Sequence, residues 1–365
     1  MNNQINLGVS KRDLDTPALL VDLDAMERNI ARMAETFRRA RVGWRPHTKG
    51  LKVPALAHML LAAGAHGITC AKVSEAEVMA AAGISDILVA NQIVGQLKID
   101  RLVRLAAQAD PIVAVDCVEN VDALNGAASA HGIRLRVLIE VNIGMNRAGT
   151  APGEATLALA REVRKRKSLR FVGLMGWEGH TGQIADAGEK REAVERAVRG
   201  LITSAELCRA EGLPVQIVSC GGTLTYTITA FIPGVTEIQA GGGIFNDVYY
   251  RTAIPEHELA LTVLATVSSR PTDTRVVCDA GKKAMSTDSG LPEPRWIEIA
   301  KPARFSAEHA SFDLKAASRS PKVGDKIEFT VGYSDTTVFL HDHLYGIRGG
   351  SVEAVWPVSG RGKLQ

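Results

Sequence analysis

Residues 86–116 have the sequence DILVANQIVGQLKIDRLVRLAAQADPIVAVD, in which two short apolar runs flank a segment with helical spacing. The runs at 86–90 and 112–116 are rich in Ile, Leu and Val, as strands buried on both faces are. The segment 96–109 between them is rich in residues with high helix propensity. Strands that alternate with helices pair in parallel through right-handed crossovers, so this stretch predicts one unit of a parallel α/β fold.

The same alternation extends over most of the chain. Eight β-rich runs are present, at 42–47, 67–71, 86–90, 112–116, 135–141, 171–177, 215–219 and 236–240. Segments with helical composition lie between them, at 74–82, 96–109, 155–165 and 190–211, and a further one at 24–41 precedes the first run. Because eight strand–helix units close into a (β/α)₈ barrel, the sequence predicts a TIM barrel.

The pattern changes after residue 251, where β-rich segments follow one another without long helices. The predicted strands are 259–268, 275–279, 296–300, 326–331, 336–340 and 352–358. Glycines stand where turns between these strands are needed. We therefore predict an α/β chain with a barrel over 16–255 and an all-β domain over 256–365, the latter joined by the N-terminal segment 1–15.

Composition excludes several classes of protein. The chain has 365 residues, 46% of them hydrophobic, with 43 Lys plus Arg against 40 Asp plus Glu. Mixed charge and a net charge of +3 give no basic stripe for nucleic acid. There is no apolar run of membrane-span length, no secretory signal pattern, and no close cysteine pair among the five cysteines. We expect a folded cytoplasmic protein without membrane or nucleic-acid partners.

Functional groups in such a barrel lie just after the strands. Lys49 follows the first run, and glycine-rich turns follow the seventh and eighth runs at 219–223 and 241–243. Taken singly, each turn is explained as an ordinary tight turn, and the lysine as a solvated side chain. Taken together, they match a site where backbone amides bind a phosphate and a lysine forms a Schiff base with an aldehyde. This combination predicts pyridoxal phosphate as cofactor.

Seven segments carry a resemblance to a known family. They are DTPA at 15–18, RPHTK at 45–49, GMNRAG at 144–149, SCGGT at 219–223, DAG at 279–281, EH at 308–309 and VWP at 355–357. The chain resembles, from about residue 14 to the C-terminus, the D-threonine aldolase and D-serine dehydratase family of alanine-racemase-like, fold-type III pyridoxal phosphate enzymes. The first-strand motif is the most specific part of this resemblance.

The resemblance implies roles for individual residues. Lys49 corresponds to the lysine that binds the cofactor covalently, and Arg147 to the arginine beside the cofactor's phenolic oxygen. The phosphate loops correspond to Gly221, Gly222, Thr223, Gly241 and Gly242, and the same site includes His47 and Ser219. His180 follows the sixth run at the barrel mouth, where it and Glu178 are candidates for an acid or base.

The resemblance also implies an activity. The expected reaction is retro-aldol cleavage of a D-3-hydroxy amino acid to glycine and an aldehyde. Dehydration of D-serine or 3-hydroxyaspartate, racemisation, and a non-catalytic cofactor carrier remain as alternatives. In enzymes of this fold the β domain helps to close the active site against a partner subunit, so a homodimer is expected.

One segment departs from the family pattern. Family members that act on D-3-hydroxy amino acids hold a divalent ion, Mn²⁺ or Mg²⁺, on a His-x-Asp or His-x-Cys pair. Here the matching segment 332–342 is GYSDTTVFLHD, so Asp335 is kept and Tyr333 replaces the histidine. Since a neutral phenol is a poor ligand, we expect a weakened metal site in which Tyr333 or His180 takes over part of the chemistry. His341 and His343, two residues apart on a predicted strand, are the alternative nitrogen ligands.

Overall fold

The protein is represented by a computed structural model that describes residues 7–365. Its contacts group into two compact units. The barrel unit comprises 32–49, 56–241 and 363–365, and the strand unit comprises 7–31, 50–55 and 242–362. The sequence predicted boundaries after residues 15 and 255, with 1–15 joined to the β domain, whereas the strand unit also takes residues 16–31, 50–55 and 242–255.

Seventeen strands lie in the described residues. They are β1 Ala18–Asp22, β2 Gly43–Trp44, β3 Ile68–Cys70, β4 Asp86–Gln92, β5 Asp110–Val115, β6 Leu135–Glu140, β7 Leu169–Met175, β8 Ile217–Cys220, β9 Glu237–Ile238, β10 Leu261–Ser269, β11 Arg275–Cys278, β12 Glu293–Pro294, β13 Arg304–Phe305, β14 Ala310–Asp313, β15 Lys326–Thr330, β16 His343–Arg348 and β17 Ser351–Pro357.

The α-helices over the same residues alternate with the barrel strands and then become rare. They are α1 Leu23–Ala40, α2 Pro54–Ala62, α3 Val73–Ala81, α4 Gln96–Leu105, α5 Val118–Ala130, α6 Glu154–Lys165, α7 Ala187–Ala210, α8 Tyr226–Thr229 and α9 Ser334–Thr337. Within 7–365, no helix combines the length and the apolar character that crossing a membrane requires.

Eight parallel strands form the barrel unit's sheet, in the order β2-β9-β8-β7-β6-β5-β4-β3. The two ends of this order meet where His47 and Thr69 form an isolated parallel bridge, and the N–H of Thr69 donates to the carbonyl of Pro46 at 2.9 Å. Every run predicted as a barrel strand overlaps one of these strands. The predicted TIM barrel with a separate, mostly β domain is confirmed.

A buried ion-pair network fixes the segment that leads to Lys49. The Nε atom of Arg45 lies 3.1 Å from both carboxylate oxygens of Glu237, and its Nη2 lies 3.0 Å from Oδ2 of Asp86. Burial works to raise the pKa of Asp86, but the hydrogen bond and charge of Arg45 outweigh it and hold that pKa below its ordinary value. Removing one partner of such a buried pair costs about 3–5 kcal/mol. Arg45 therefore orients the end of β2.

The strand unit contains one sheet ordered β13-β14-β11-β10-β1-β16-β17, with β15 pairing β10 and β12. Its central strand β1 is antiparallel to β10 and parallel to β16. The sequence did not predict β1, β14 or β16 as strands. Since β1 pairs only with strands more than 200 residues away in sequence, its apolar run is a strand of this sheet rather than part of the barrel.

Two predicted strands of this unit are wrong. Residues 296–300 contribute only the isolated bridge of Ile299 with Leu314. Residues 336–340, although β-branched and apolar, lie in α9 and a following 3₁₀ turn. Hydrogen bonds to residues distant in sequence favour the helical turn, because Asp247 accepts the N–H of Ser334 at 2.7 Å and Thr336 donates its hydroxyl to Asp288 at 2.8 Å.

Candidate active site

Lys49 lies in a 3₁₀ turn, Thr48–Gly50, which follows β2 after the three residues 45–47. Its Nζ is 5.7 Å from the ring centroid of Trp177, a residue that follows β7. The backbone N–H of Lys49 donates to Nδ1 of His47 at 3.3 Å. The predicted cofactor lysine therefore lies at the carboxyl end of the barrel strands, beside an indole ring that can pack against a planar ligand.

Arg147 lies against the same indole ring as Lys49. Its Cζ is 5.1 Å from the Trp177 centroid, and its Nη2 is 3.7 Å from Oε1 of the buried Glu140 at the end of β6. The loop before it is ordered by Asn142, whose Oδ1 accepts the N–H groups of Gly144 and Asn146 at 3.1 and 3.0 Å. Lys49, which follows β2, and Arg147, which follows β6, therefore both contact the Trp177 ring.

His180 is exposed in the 3₁₀ turn Gly179–Thr181 after β7. Its imidazole packs on the backbone of Gly144, where a Cβ would lie 2.7 Å from Nε2. Gly144 also has φ of +120°, which favours glycine. His180 therefore lies beside the β6 loop and can accept or donate a proton at the barrel mouth.

Glu178, the other acid–base candidate on this loop, is fully buried. Its carboxylate accepts the N–H of Gly221 at 3.2 Å and the hydroxyls of Thr225 and Thr229 at 2.7 and 2.6 Å. Because all three hydrogen bonds go to the loop and helix after β8, Glu178 anchors that segment.

The loop after β8 offers donors for an anion. Gly221 has φ of +77°, and its N–H is used by Glu178. The N–H groups of the buried Thr223 and Leu224 have no acceptor within the described chain. Since buried backbone donors are nearly always satisfied, this pair fits the oxygen atoms of a phosphate. The residues present in the barrel unit therefore fit pyridoxal phosphate.

The remaining predicted cofactor residues surround the ends of β8 and β9. Ser219 is fully buried and its Oγ accepts a hydrogen bond from Nε2 of Gln239 at 2.9 Å. A Cβ at Gly241 would lie 2.9 Å from the backbone nitrogen of His47, so only glycine allows the two chain segments to approach so closely. Gly242 begins the 3₁₀ turn Gly242–Ile244, and it belongs to the strand unit.

Tyr333 belongs to a hydrogen-bonded aromatic cluster in the strand unit, which we call the tyrosine cluster (Tyr249, Tyr250, Tyr333 and Asp335). The Tyr333 hydroxyl donates to Oδ2 of Asp335 at 2.8 Å, and the Tyr250 hydroxyl donates to Tyr333 at 3.4 Å. The ring of Tyr249 packs 4.9 Å from that of Tyr333. Burial and the charge of Asp335 raise the pKa of Tyr333 above its ordinary value, so its hydroxyl is protonated.

Asp247 joins the two chain segments that carry the tyrosine cluster, 249–250 and 333–335. Its carboxyl accepts the N–H groups of Ser334 at 2.7 Å and Tyr250 at 2.8 Å. Burial raises the pKa of Asp247 to about 7, in spite of these two hydrogen bonds. Gly50, the residue after Lys49 in the chain, packs against Asp335 so closely that a Cβ would overlap the carboxylate.

The side chains predicted as metal ligands do not form a metal site. Tyr333 is a protonated phenol that already donates to Asp335. Nε2 of the mostly buried His341 is 2.8 Å from the carbonyl of Ala284, and His343 is exposed at the start of β16. Among residues 7–365, no group of three His, Cys, Asp or Glu side chains is placed to hold an ion. The donor set therefore does not fit a divalent ion.

Sequence reasoning missed three contributors to these sites. Trp177 was noted only as the end of a strand, yet it contacts both Lys49 and Arg147. Tyr249 and Tyr250, which follow the eighth strand, were not singled out although they surround Tyr333. For Trp177 the available signal was position, because residues just after barrel strands lie where ligands bind.

Two family descriptions match the chain. The alanine racemase N-terminal domain matches residues 21–247, and the putative serine dehydratase domain matches residues 260–347. The first covers more than half of the chain and the second lies within the strand unit. The first family match covers nearly all of the barrel unit, and the second covers most of the C-terminal part of the strand unit.

Individual relatives match over nearly the whole length. The 3-hydroxy-D-aspartate aldolase of Paracoccus denitrificans (strain Pd 1222) is 35% identical, covering 98% of this chain and 94% of the relative. The D-threonine aldolase of Arthrobacter sp. is 35% identical, covering 96% and 93%. The crystal structure of D-threonine aldolase from Filomicrobium marinum superposes with a TM-score of 0.94 at 37% identity, covering 99% of each chain. The chain therefore belongs to the D-threonine aldolase and D-serine dehydratase family of alanine-racemase-like enzymes.

Proposed function

We propose that this protein is a pyridoxal phosphate-dependent lyase that cleaves D-3-hydroxy amino acids to glycine and an aldehyde. The observation that carries the proposal is the position of Lys49 after β2, on the Trp177 ring, in a barrel whose β8 loop has two buried amides without acceptors among the described residues. Both aldolase relatives match over more than nine-tenths of their lengths, which supports the same reaction class.

The barrel residues would hold the cofactor as follows. Lys49 would bind its aldehyde carbon, and the amides of Thr223 and Leu224 would bind its phosphate. Trp177 would limit movement of the ring, and Arg147 would contribute positive charge. When bound, pyridoxal phosphate supplies the electron sink for breaking the Cα–Cβ bond, while the protein supplies orientation and proton transfer.

Bond cleavage requires removal of the proton from the substrate's 3-hydroxyl. We propose that Tyr333 and Asp335 do this without a divalent ion. The Tyr333 oxygen accepts the substrate proton as the tyrosine passes its own proton to Oδ2 of Asp335, 2.8 Å away. A relay is favoured over a free tyrosinate, because burial and Asp335 raise the pKa of Tyr333. His180 is the second candidate for the proton acceptor, since it is exposed at the barrel mouth.

The reaction is tested by identifying products. D-threonine, D-phenylserine, D-3-hydroxyaspartate and D-serine are each incubated with protein that contains the cofactor, with and without EDTA, Mn²⁺ or Mg²⁺. Glycine with an aldehyde supports the proposal. A keto acid with ammonia indicates a dehydratase, the enantiomer indicates a racemase, and no turnover of any substrate indicates a cofactor carrier.

A homodimer is also part of the proposal, since the family resemblance implies that a partner subunit helps to close the active site. Sedimentation equilibrium of the purified protein measures it directly. A monomeric mass at concentrations where the enzyme is fully active would contradict the dimer without affecting the proposed chemistry.

A further inference from the structure

The loop after β7 and the loop after β8 are joined through one buried carboxylate. Glu178 has no exposed surface, and its three hydrogen-bond donors are all neutral groups, namely the N–H of Gly221 and the hydroxyls of Thr225 and Thr229. Burying a carboxylate is costly unless hydrogen bonds replace its hydration. At Glu178 the three hydrogen bonds replace that hydration, and they also join the two loops.

The two joined loops carry different parts of the candidate cofactor site. Trp177, adjacent to Glu178, contacts Lys49 and Arg147. Gly221 is followed within three residues by the buried amides of Thr223 and Leu224, which have no acceptor within residues 7–365. Glu178 thus holds the Trp177 backbone and the loop with the free amides in one fixed arrangement.

The hydrogen bond to Gly221 also controls where the next peptide groups point. With φ of +77°, Gly221 turns the chain sharply, and Glu178 fixes that turn by accepting its N–H. The helix α8 that follows is held by the same carboxylate through Thr225 and Thr229. Both ends of the segment 221–229 are therefore fixed by a single side chain.

We infer that Glu178 is a positioning residue that holds the β8 loop in the conformation that binds the cofactor phosphate. The inference rests on the proposed function. It requires a carboxylate, because only a group with two acceptor oxygens and no donor can accept all three hydrogen bonds. A glutamine of the same size has one acceptor oxygen, and its NH₂ group would face one of the three donors.

The test compares variants of the full-length apoprotein. Glu178→Gln is expected to raise the dissociation constant for pyridoxal phosphate about 10- to 100-fold, since misplaced amides lose charge-assisted hydrogen bonds. It should also weaken the competition of inorganic phosphate with the cofactor. Thr229→Val should weaken cofactor binding less, and Thr229→Ser should restore it. Thr156→Val removes a buried hydroxyl elsewhere in the barrel and is the matched control.

Equilibrium dialysis of pyridoxal phosphate and its competition by inorganic phosphate measure these effects independently of catalysis. At saturating cofactor the KM for the amino acid should be unchanged, which separates positioning of the phosphate loop from substrate binding. Unchanged affinities in both Glu178→Gln and Thr229→Val would overturn the inference and leave the proposed function intact. Absence of cofactor binding by the wild-type protein would overturn both. If Glu178→Gln does not fold, the Thr229 pair decides the outcome.

Discussion

Replacing Tyr333 tests whether its phenol, rather than a metal ion, assists removal of the substrate's 3-hydroxyl proton. Tyr333→Phe removes the hydroxyl that donates to Asp335 at 2.8 Å and accepts from Tyr250 at 3.4 Å, while the ring packing on Tyr249 and Tyr250 is kept. The loss of one hydrogen bond to a half-buried carboxylate costs about 1 kcal/mol of stability. Loss of a positioned proton acceptor lowers the rate by about 10²- to 10⁴-fold. The variant should therefore fold and bind cofactor normally, but have a much lower kcat.

The assay follows aldehyde release from D-phenylserine at saturating cofactor, with thermal unfolding measured in parallel. Tyr345→Phe, which removes a hydroxyl from β16 in the same unit, is the control and should retain wild-type kcat. A kcat for Tyr333→Phe within threefold of wild type would refute the relay. A matching fall in cofactor affinity would instead assign Tyr333 a role in binding.

Tyr333→His restores the histidine of the His-x-Asp pair and tests whether the site can then bind a metal ion. The wild-type enzyme should lose less than half of its activity in EDTA. The histidine variant should become dependent on added Mn²⁺, because an imidazole and a carboxylate two residues apart can bind a divalent ion. A wild-type enzyme that loses all activity in EDTA and regains it with Mn²⁺ would show that the ion is bound in spite of Tyr333.

Three further outcomes are expected. Borohydride treatment of the protein with bound cofactor should fix the cofactor on Lys49, as shown by peptide mapping; a label on Lys52 would contradict the assignment. Gly222→Val places a Cβ 3.0 Å from Nε1 of Trp177 and should weaken cofactor binding at least tenfold by dialysis, whereas Gly126→Val, with nothing within 4 Å, should not. Burial raises the pKa of Asp247 from 3.8 to about 7, so its contribution to stability is present below pH 4 and is lost as the pH rises through 7. Asp247→Asn should flatten that pH dependence in thermal unfolding, and an unchanged profile would contradict the raised pKa.

Most of the barrel could be predicted from sequence because its signal is local. Strands buried on both faces are continuous apolar runs, and each is separated from the next by a helix with its own pattern. The position of Lys49 followed from the same reasoning, since the residue after a barrel strand lies at the barrel mouth. The glycine at 241 was predictable as a turn, but its contact with the backbone of His47 was not, because that contact depends on how β2 and β9 pair.

The errors fall where long-range contacts decide the local structure. Residues 336–340 have strand propensity, yet a carboxyl from residue 247 caps the turn before them. Glu178 was considered as an acid or base because it follows a barrel strand. Its true surroundings are three donors from residues 221–229, and no sequence pattern reveals that pairing. Burial of a carboxylate is a property of the tertiary structure alone.

The tyrosine at 333 is best understood together with its neighbours. Asp335 lies beside partly buried aromatic rings, where a carboxylate is costly unless it accepts hydrogen bonds. The Tyr333 hydroxyl satisfies that carboxylate, and Tyr250 in turn donates to the Tyr333 oxygen. A divalent ion at Asp335 would compete with the first of these hydrogen bonds for the carboxylate, and a protonated phenol would offer little coordination in return. The surroundings of residue 333 thus stabilise a hydroxyl relay, which is why the single change Tyr333→His should not be neutral in either activity or metal dependence.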